Sequence, residues 1–477
     1  MRKLLCSLVC CVAVAAAAFG EDAPDKKSPP NDAPVPIAFA SGGKFKMLYD
    51  ARQRPQSVYL KGRLYIVYNG DAKPTSNRKG SARPMLITYD PKSRSFSKPE
   101  RLGPSRSDHH YSPIIWADKE NHLHVLHGCH RTPGQHLISD QPVRNGSSKI
   151  NWHEGPQIAP KLSYPTVFRI SDDRDLIYYR TDGHTSSWTY RISDDNGETW
   201  HGPDHDVTDL DSKGRLDWSS YQTKLPSRDG KYLHVVYTDY DDNKNSPEPQ
   251  RLFNPRYQSL ASNEWKYNLS YVKVDLSTRE VSNINGQVLK TPIDIDYSKT
   301  HCEIWDTEWR GAGIPPAVAL DENDHPAFLH VLSENSLSEH QYYYVRRVEG
   351  GWKQTPITHS NHQWNSCYLS KDADDTLHAY VVVGENYLEG GYMDRHGGGR
   401  IEEWVSNDKG NHWTQRREVS PNSQQYAGWR FNNVQPVVRP DGSTVDGMLL
   451  YYGWNDKDAP QATAFLLHEV VGNKRDE

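Results

Sequence analysis

Two histidines, two tyrosines and one arginine stand out in this chain because their positions recur in consecutive units. The run Asp108-His109-His110-Tyr111-Ser112-Pro113 opens one expected hairpin, and its partner strand runs on to His127-Gly128-Cys129-His130. Ser163-Tyr164-Pro165-Thr166 opens the next, and the partner strand there ends at Arg180. Trp218-Ser219-Ser220-Tyr221-Gln222 opens the one after. His110, Tyr164 and Tyr221 therefore hold equivalent positions, while His130 and Arg180 lie at or just past the ends of partner strands. A short hairpin returns its end beside its start, so all five are expected at one mouth of the fold.

This set lacks the close carboxylate pair of a standard glycosidase. It suits β-elimination from a uronate. The C5 proton is weakly acidic and leaves only if the neighbouring carboxylate is neutralised, for which arginine offers a planar, bidentate, permanent cation. A neutral His or a Tyr phenolate can take the proton, and a Tyr or His can protonate the departing O4. A second His or Tyr, with the arginine, would hold the developing enolate charge. Which of His110 and Tyr164 is base and which acid stays open at this level. His124, His234 and His378 differ: they alternate with apolar neighbours in register and read as structural.

The elements that must position these groups form a repeat. A polar turn followed by Leu or its equivalent, an aromatic or His, and further strand formers recurs seven times. The copies are Leu64–Tyr68, Leu123–His127, Leu176–Arg180, Leu233–Tyr237, Ala327–Val331, Leu377–Val381 and Met448–Tyr452. Their second residues are separated by 59, 53, 57, 94, 50 and 71 positions. Several copies follow an Asp-rich turn and a Pro-containing strand, as in Pro113 to Asp118, Pro316 to Asp321 and Pro436 to Asp441. A strand, tight turn and strand at this period is the pattern of one hairpin per propeller blade, each blade a four-stranded sheet. The expected fold is all-β, a seven-bladed β-propeller over residues 41–477, with an insertion near 241–312. Two turns agree. Ser193-Asp194-Asp195-Asn196-Gly197-Glu198-Thr199-Trp200 fits the Asp-box hairpin S-x-D-x-G-x-T-W, and Ser406-Asn407-Asp408-Lys409-Gly410-Asn411-His412-Trp413 is a near copy. In each, Asp caps the turn, Gly supplies a positive φ and Trp packs between blades.

Composition narrows the class. The 477 residues carry 28 Tyr, 14 Trp and 9 Phe with 33 Gly and 31 Pro but 5 Met, which favours short strands and many turns. Hydrophobic content of 35% excludes an integral membrane protein, and a formal net charge of −5 spread along the chain argues against bulk nucleic-acid binding. Arg2 and Lys3 precede an apolar run from Leu4 to Ala18, and Ala18-Phe19-Gly20 offers a cleavage site. Residues 1–20 thus read as a signal peptide and 21–40 as a flexible Pro-rich leader, so a secreted or periplasmic monomer with no membrane span is expected. Three of the six Cys fall in the signal peptide, leaving Cys129, Cys302 and Cys367, too few and too odd for a disulfide framework. They are buried small side chains or metal ligands.

The run from His110 through Pro113 to His130, then Tyr164-Pro165, Arg180 and Tyr221, resembles the BNR-4 repeat propeller proteins, most of all the seven-bladed ulvan lyases. The resemblance covers about residues 45–470. It implies cleavage of an anionic sulfated polysaccharide, ulvan, between rhamnose-3-sulfate and a uronic acid. On this likeness His110 and Tyr164 are the acid/base pair, Arg180 neutralises the carboxylate, and His130 and Tyr221 support them. Relatives on the same propeller include rhamnosidases acting on rhamnose–glucuronate linkages, so a glycoside hydrolase and a non-catalytic glycan-binding propeller are the alternatives. The resemblance also implies a structural zinc, for which His301, Cys302, His362, Cys367 and His378 are the available ligands; Cys367 and His378 are expected on one face of a hairpin. No catalytic metal or other cofactor is indicated.

Overall fold

The computed structural model describes residues 35–42, 47–70, 83–106, 108–144, 149–211, 218–241, 253–260, 265–384, 397–455 and 462–469. The expected signal peptide lies outside these residues, as does the leader up to residue 34. The leader ends earlier than its composition suggests, because Ile37–Gly42 is a strand paired antiparallel with Ala462–His468. Its Phe39 stacks on Phe96 with ring centroids 5.1 Å apart.

The regular structure of the described chain is almost wholly strand, arranged in antiparallel sets of neighbouring strands. The first strands of the sets are Ser57–Leu60, Ile114–Ala117, Leu162–Ser171, Trp218–Pro226, Ala317–Leu320, Cys367–Lys371 and Arg430–Val438. Each pairs with the strand that follows it, and each of those second strands carries one of the seven sequence copies. The last set, Arg430–Val438, Thr444–Trp454 and Ala462–His468, is completed by Ile37–Gly42 from the other end of the chain. One parallel pair, Val58 with Val438, joins it to the first set in a nine-stranded sheet.

The sequence copies are near-continuous apolar runs because both faces of each set are covered. In Arg63–Gly70, Leu64, Ile66 and Tyr68 pack with Leu450 and Tyr452 of the last set. Tyr65 and Val67, on the opposite face, pack with Ile115 and Val125 of the second. This period of two repeats at every junction. Second meets third around Ile114 and Ile177, third meets fourth around Tyr178 and Val235, and fourth meets fifth around Tyr271 and Phe328. Fifth meets sixth around Leu329 and Ala379, and sixth meets last around Val382 and Tyr451.

Both Asp boxes form as expected. Gly197 and Gly410 have φ of +88° and +80°, and each donates its N–H to the box serine, Ser193 or Ser406. Trp200 and Trp413 pack on the cores at junctions between sets. The 94-residue interval holds the third strand Lys266–Asp275 and a short helix, Ile295–His301, capped where Asp294 Oδ1 accepts the N–H of Tyr297 at 2.8 Å.

Candidate active site

Three adjacent strands set the frame. His130 pairs with Ser163, and Ser163 pairs with Arg180, so His130, Ser163 and Arg180 form one cross-strand row with Tyr164 beside it. His130 does not simply continue the second strand of its own set. It opens a separate strand, His130–Thr132, that adds to the third set. Tyr164 sits at an irregularity between Ser163 and Thr166 with φ of +55°, a left-handed conformation that is costly for a tyrosine and concentrates at functional positions. His110 lies in a single helical turn, His109–Tyr111, ahead of the first strand of its set.

Asp108 ties the two histidines together. Its Oδ1 accepts from the Nδ1 of His110 at 2.7 Å and from that residue's backbone N–H at 3.0 Å, and its Oδ2 accepts from the Nδ1 of His130 at 2.8 Å. Burial alone would raise the Asp108 carboxyl, but these donors hold it well below the usual carboxylate range. With Nδ1 donating, each ring presents Nε2 as its lone-pair nitrogen. Burial is the main cause that lowers the pKa of His110, with the charge of Arg52 adding to it, so the imidazole is neutral at neutral pH.

The rings close up around this carboxylate. His110 and His130 have centroids 4.3 Å apart, and His110 meets Tyr164 edge-on at 5.7 Å. The hydroxyls of Tyr164 and Tyr221 are 3.4 Å apart. Burial, reinforced by Tyr221 and Asp50 against the opposing charges of Arg52 and Arg180, pushes the Tyr164 phenol well above its usual range. All five expected residues are thus brought together.

Three cations surround the tyrosines. The Arg180 guanidinium lies 4.7 Å from the Tyr164 ring centroid and 5.6 Å from that of Tyr221. Arg180 is 0% exposed, and none of its three guanidinium nitrogens has a hydrogen-bond partner among the described residues. Arg52 lies 4.5 Å from the Tyr164 ring and is held by Asp50 through Nε at 2.8 Å and Nη2 at 2.6 Å. Lys266 lies 4.7 Å from the Tyr221 ring and 4.6 Å from that of Trp364.

Asp108, Arg52, Asp50 and Lys266 were not among the residues singled out from the sequence. Asp108 carried a signal, since an acid two residues before a histidine can orient its ring. Arg52 and Asp50 precede the first repeat and Lys266 lies within the insertion near 241–312, so no periodicity pointed to them.

The expected zinc ligands do not meet. Cys367 pairs with Val381 and His378 pairs with Ser370, which puts Cys367 and His378 on opposite faces of one sheet. The expected single face was wrong by one residue of register. Cys367 is buried in the core between the fifth and sixth sets, while the Nδ1 of His378 donates to Glu403 at 2.8 Å. Cys302 is buried in the core between the third and fourth sets, and His301 packs its ring on Tyr297 at 4.3 Å. The Nδ1 of His362 accepts from the backbone N–H of Trp364 at 3.1 Å. Such a dispersed set does not fit a tetrahedral site. Among the described residues, the group of three potential ligands that does converge is Asp108, His110 and His130.

The fold and site define an all-β repeat protein that gathers a cluster of His, Tyr and Asp side chains, ringed by cations, from three consecutive repeats. The chain belongs to the BNR repeat-containing family, whose model matches residues 77–360. It is similar to an ulvan lyase of Alteromonas sp. (strain LOR), 23% identical over 303 residues, 57% of each chain. It is also similar to an ulvan lyase of Nonlabens ulvanivorans, 23% identical over 305 residues, 58% of this chain and 60% of that one. The matches thus span less than two thirds of these relatives' length. A solved ulvan lyase of polysaccharide lyase family PL25 superposes with a TM-score of 0.69 at 17% identity, covering 91% of this chain and 96% of that one. A further structure, with -[GlcA(1-4)Rha3S]- bound, gives 0.68 at 16% identity over the same shares. At such identities the likeness shows the fold, all-β and propeller-like.

Proposed function

We propose that this protein is a polysaccharide lyase that cleaves ulvan by β-elimination at the uronic acid. The observation that carries the reading is His110, fixed through Nδ1 by Asp108 and set edge-on to a protonated Tyr164 between two guanidinium groups. The Nε2 of neutral His110 removes the C5 proton, and the Tyr164 hydroxyl gives its proton to O4 as the C4–O4 bond breaks. The C5–H electrons become the C4=C5 double bond, leaving an unsaturated uronate on one fragment and a hydroxyl on the other. Proton exchange with solvent resets both groups. Arg180 and Arg52 supply the positive charge that acidifies C5 and holds the enolate, and His130 and Tyr221 support the pair. Arg52 is the more exposed of the two arginines, and its Nη1 makes no hydrogen bond among the described residues. The two carboxylates nearest the pair, Asp50 and Asp108, are engaged by Arg52 and by the imidazoles, which does not favour two-carboxylate hydrolysis.

The blade count belongs to the same reading. Seven strand sets, each sharing a core with the next and the last with the first, support a seven-bladed propeller. Residues 1–20 are read as a signal peptide, and the mature protein as an exported monomer. No helix among the described residues is long and apolar enough to cross a membrane.

Mass spectrometry of the ulvan digest tests the reaction class. Elimination leaves the summed mass of the fragments equal to that of the chain cut, one fragment being a dehydrated uronate, whereas hydrolysis adds one water per cut. Addition of a water at every cut would replace the lyase reading with a hydrolase.

A further inference from the structure

A cavity of 720 Å³ is lined by residues from the first strand of all seven sets, among them Val58, Ala117, Val167, Leu225, Ala319 and Leu369. Its near end is formed by Ala51–Pro55, a segment fastened across strands of neighbouring sets. Arg54 donates its backbone N–H to Pro165 O at 3.2 Å and accepts from Val167 N at 3.0 Å, and Pro55 O accepts from Ile115 N at 2.9 Å. Arg52 and Arg54, on this segment, both belong to the cavity wall, and Arg52 also has its guanidinium over Tyr164.

The lining is basic although the chain is net acidic. It includes seven Lys or Arg and only two carboxylates, Asp172 and Asp441. Arg169 is neutralised by Asp175, and Lys371 by Glu322 and Asp375. Lys224 is not. It is 5% exposed, its ammonium lies 5.4 Å from the Tyr178 ring and 5.0 Å from the Trp188 ring, and it makes no ion pair among the described residues. Arg54 makes no ion pair there either; its Nε donates to the carbonyl of Ala51 at 2.9 Å. Burial and the nearby Arg54 charge pull the Lys224 ammonium down to about 7. Two cations that share a cavity and have no ion-pair partner among the described residues leave an electrostatic deficit that a bound anion removes.

We propose that this cavity is a binding site for a small inorganic oxyanion of the sulfate class, held by Lys224 and Arg54, neither of which belongs to the acid–base cluster. Its ammonium and guanidinium donors suit a compact tetrahedral acceptor, and the site does not depend on what the protein cleaves.

Titration of the full chain with sodium sulfate, against sodium chloride at matched ionic strength, reads the site by calorimetry and by melting temperature. The expected result is saturable binding of one sulfate per chain, with a melting temperature that rises by mass action. Lys224→Met should weaken sulfate binding at least tenfold while still melting cooperatively, and Arg54→Gln should weaken it independently. Because neither residue belongs to the acid–base cluster, both variants should keep their turnover of ulvan. Sulfate effects no larger than chloride's in the wild type, or unchanged sulfate affinity in both variants, would overturn the proposal whatever the outcome with ulvan.

Discussion

The Nδ1 of His110 donates to Asp108 Oδ1 at 2.7 Å, and this contact decides which nitrogen of the ring can act as a base. Asp108→Asn keeps the size of the side chain but can present an amide N–H to the ring and so stabilise the wrong tautomer. Turnover of ulvan should then fall by about 10²–10⁴-fold, the span that a positioned acid or base contributes. Circular dichroism and melting should show a folded protein. An Asp108→Asn variant with wild-type turnover would detach Asp108 from the mechanism.

The two arginines beside Tyr164 should separate stability from activity. Arg52 neutralises Asp50, which is 2% exposed, so Arg52→Met leaves a buried carboxylate unpaired and should destabilise the fold by about 3–5 kcal/mol. Among the described residues, Arg180 has no hydrogen-bonding or ionic partner to abandon. Arg180→Met should therefore keep or raise the denaturation midpoint while turnover falls by about 10²–10³-fold, the cost of one preorganised charge-stabilising donor. Equal loss of stability in both variants would contradict this assignment.

The pH profile follows from the directions of two shifts. Burial lowers His110 below its ordinary value of about 6.5, so the base is lost only as pH falls beneath that point. Burial raises Tyr164 above its ordinary value of about 10, so the acid stays protonated across the alkaline range. The kcat/KM profile should thus be flat from about pH 7 to 9.5. A profile climbing steadily through that interval would make a Tyr164 phenolate the base. Tyr164→Phe should keep the ring packing and lose at least about 10² in kcat.

Much of this was legible in the sequence because the signals are local. The seven apolar runs mark the second strands, since a strand covered on both faces must be apolar throughout. Ser193-to-Trp200 and Ser406-to-Trp413 specify their turns through Asp, Gly and Trp at fixed offsets. Convergence of His110, Tyr164 and Tyr221 followed from their equal place in successive repeats. The pairing of Cys367 with Val381 was not legible, because a shift of one residue in the turn sends His378 to the other face. Arg52 escaped notice because it reaches Tyr164 from a segment outside the repeat.

The Asp boxes carry a prediction of their own. A Cβ on Gly410 would clash with the Tyr344 ring, at a φ of +80° that other residues resist. Gly410→Ala should destabilise by at least about 1–3 kcal/mol in denaturant unfolding. Activity per folded molecule should not change, since the box lies outside the acid–base cluster.

The most direct test of the central claim is the ultraviolet absorbance of an ulvan solution treated with the purified protein. Elimination conjugates the new C4=C5 bond with the uronate carboxylate, so absorbance should rise with time for the wild type. It should stay near the blank for His110→Asn and for Tyr164→Phe, both folded. Reducing ends that accumulate without this chromophore, or wild-type rates in both variants, would contradict the assignment of this site as a lyase centre.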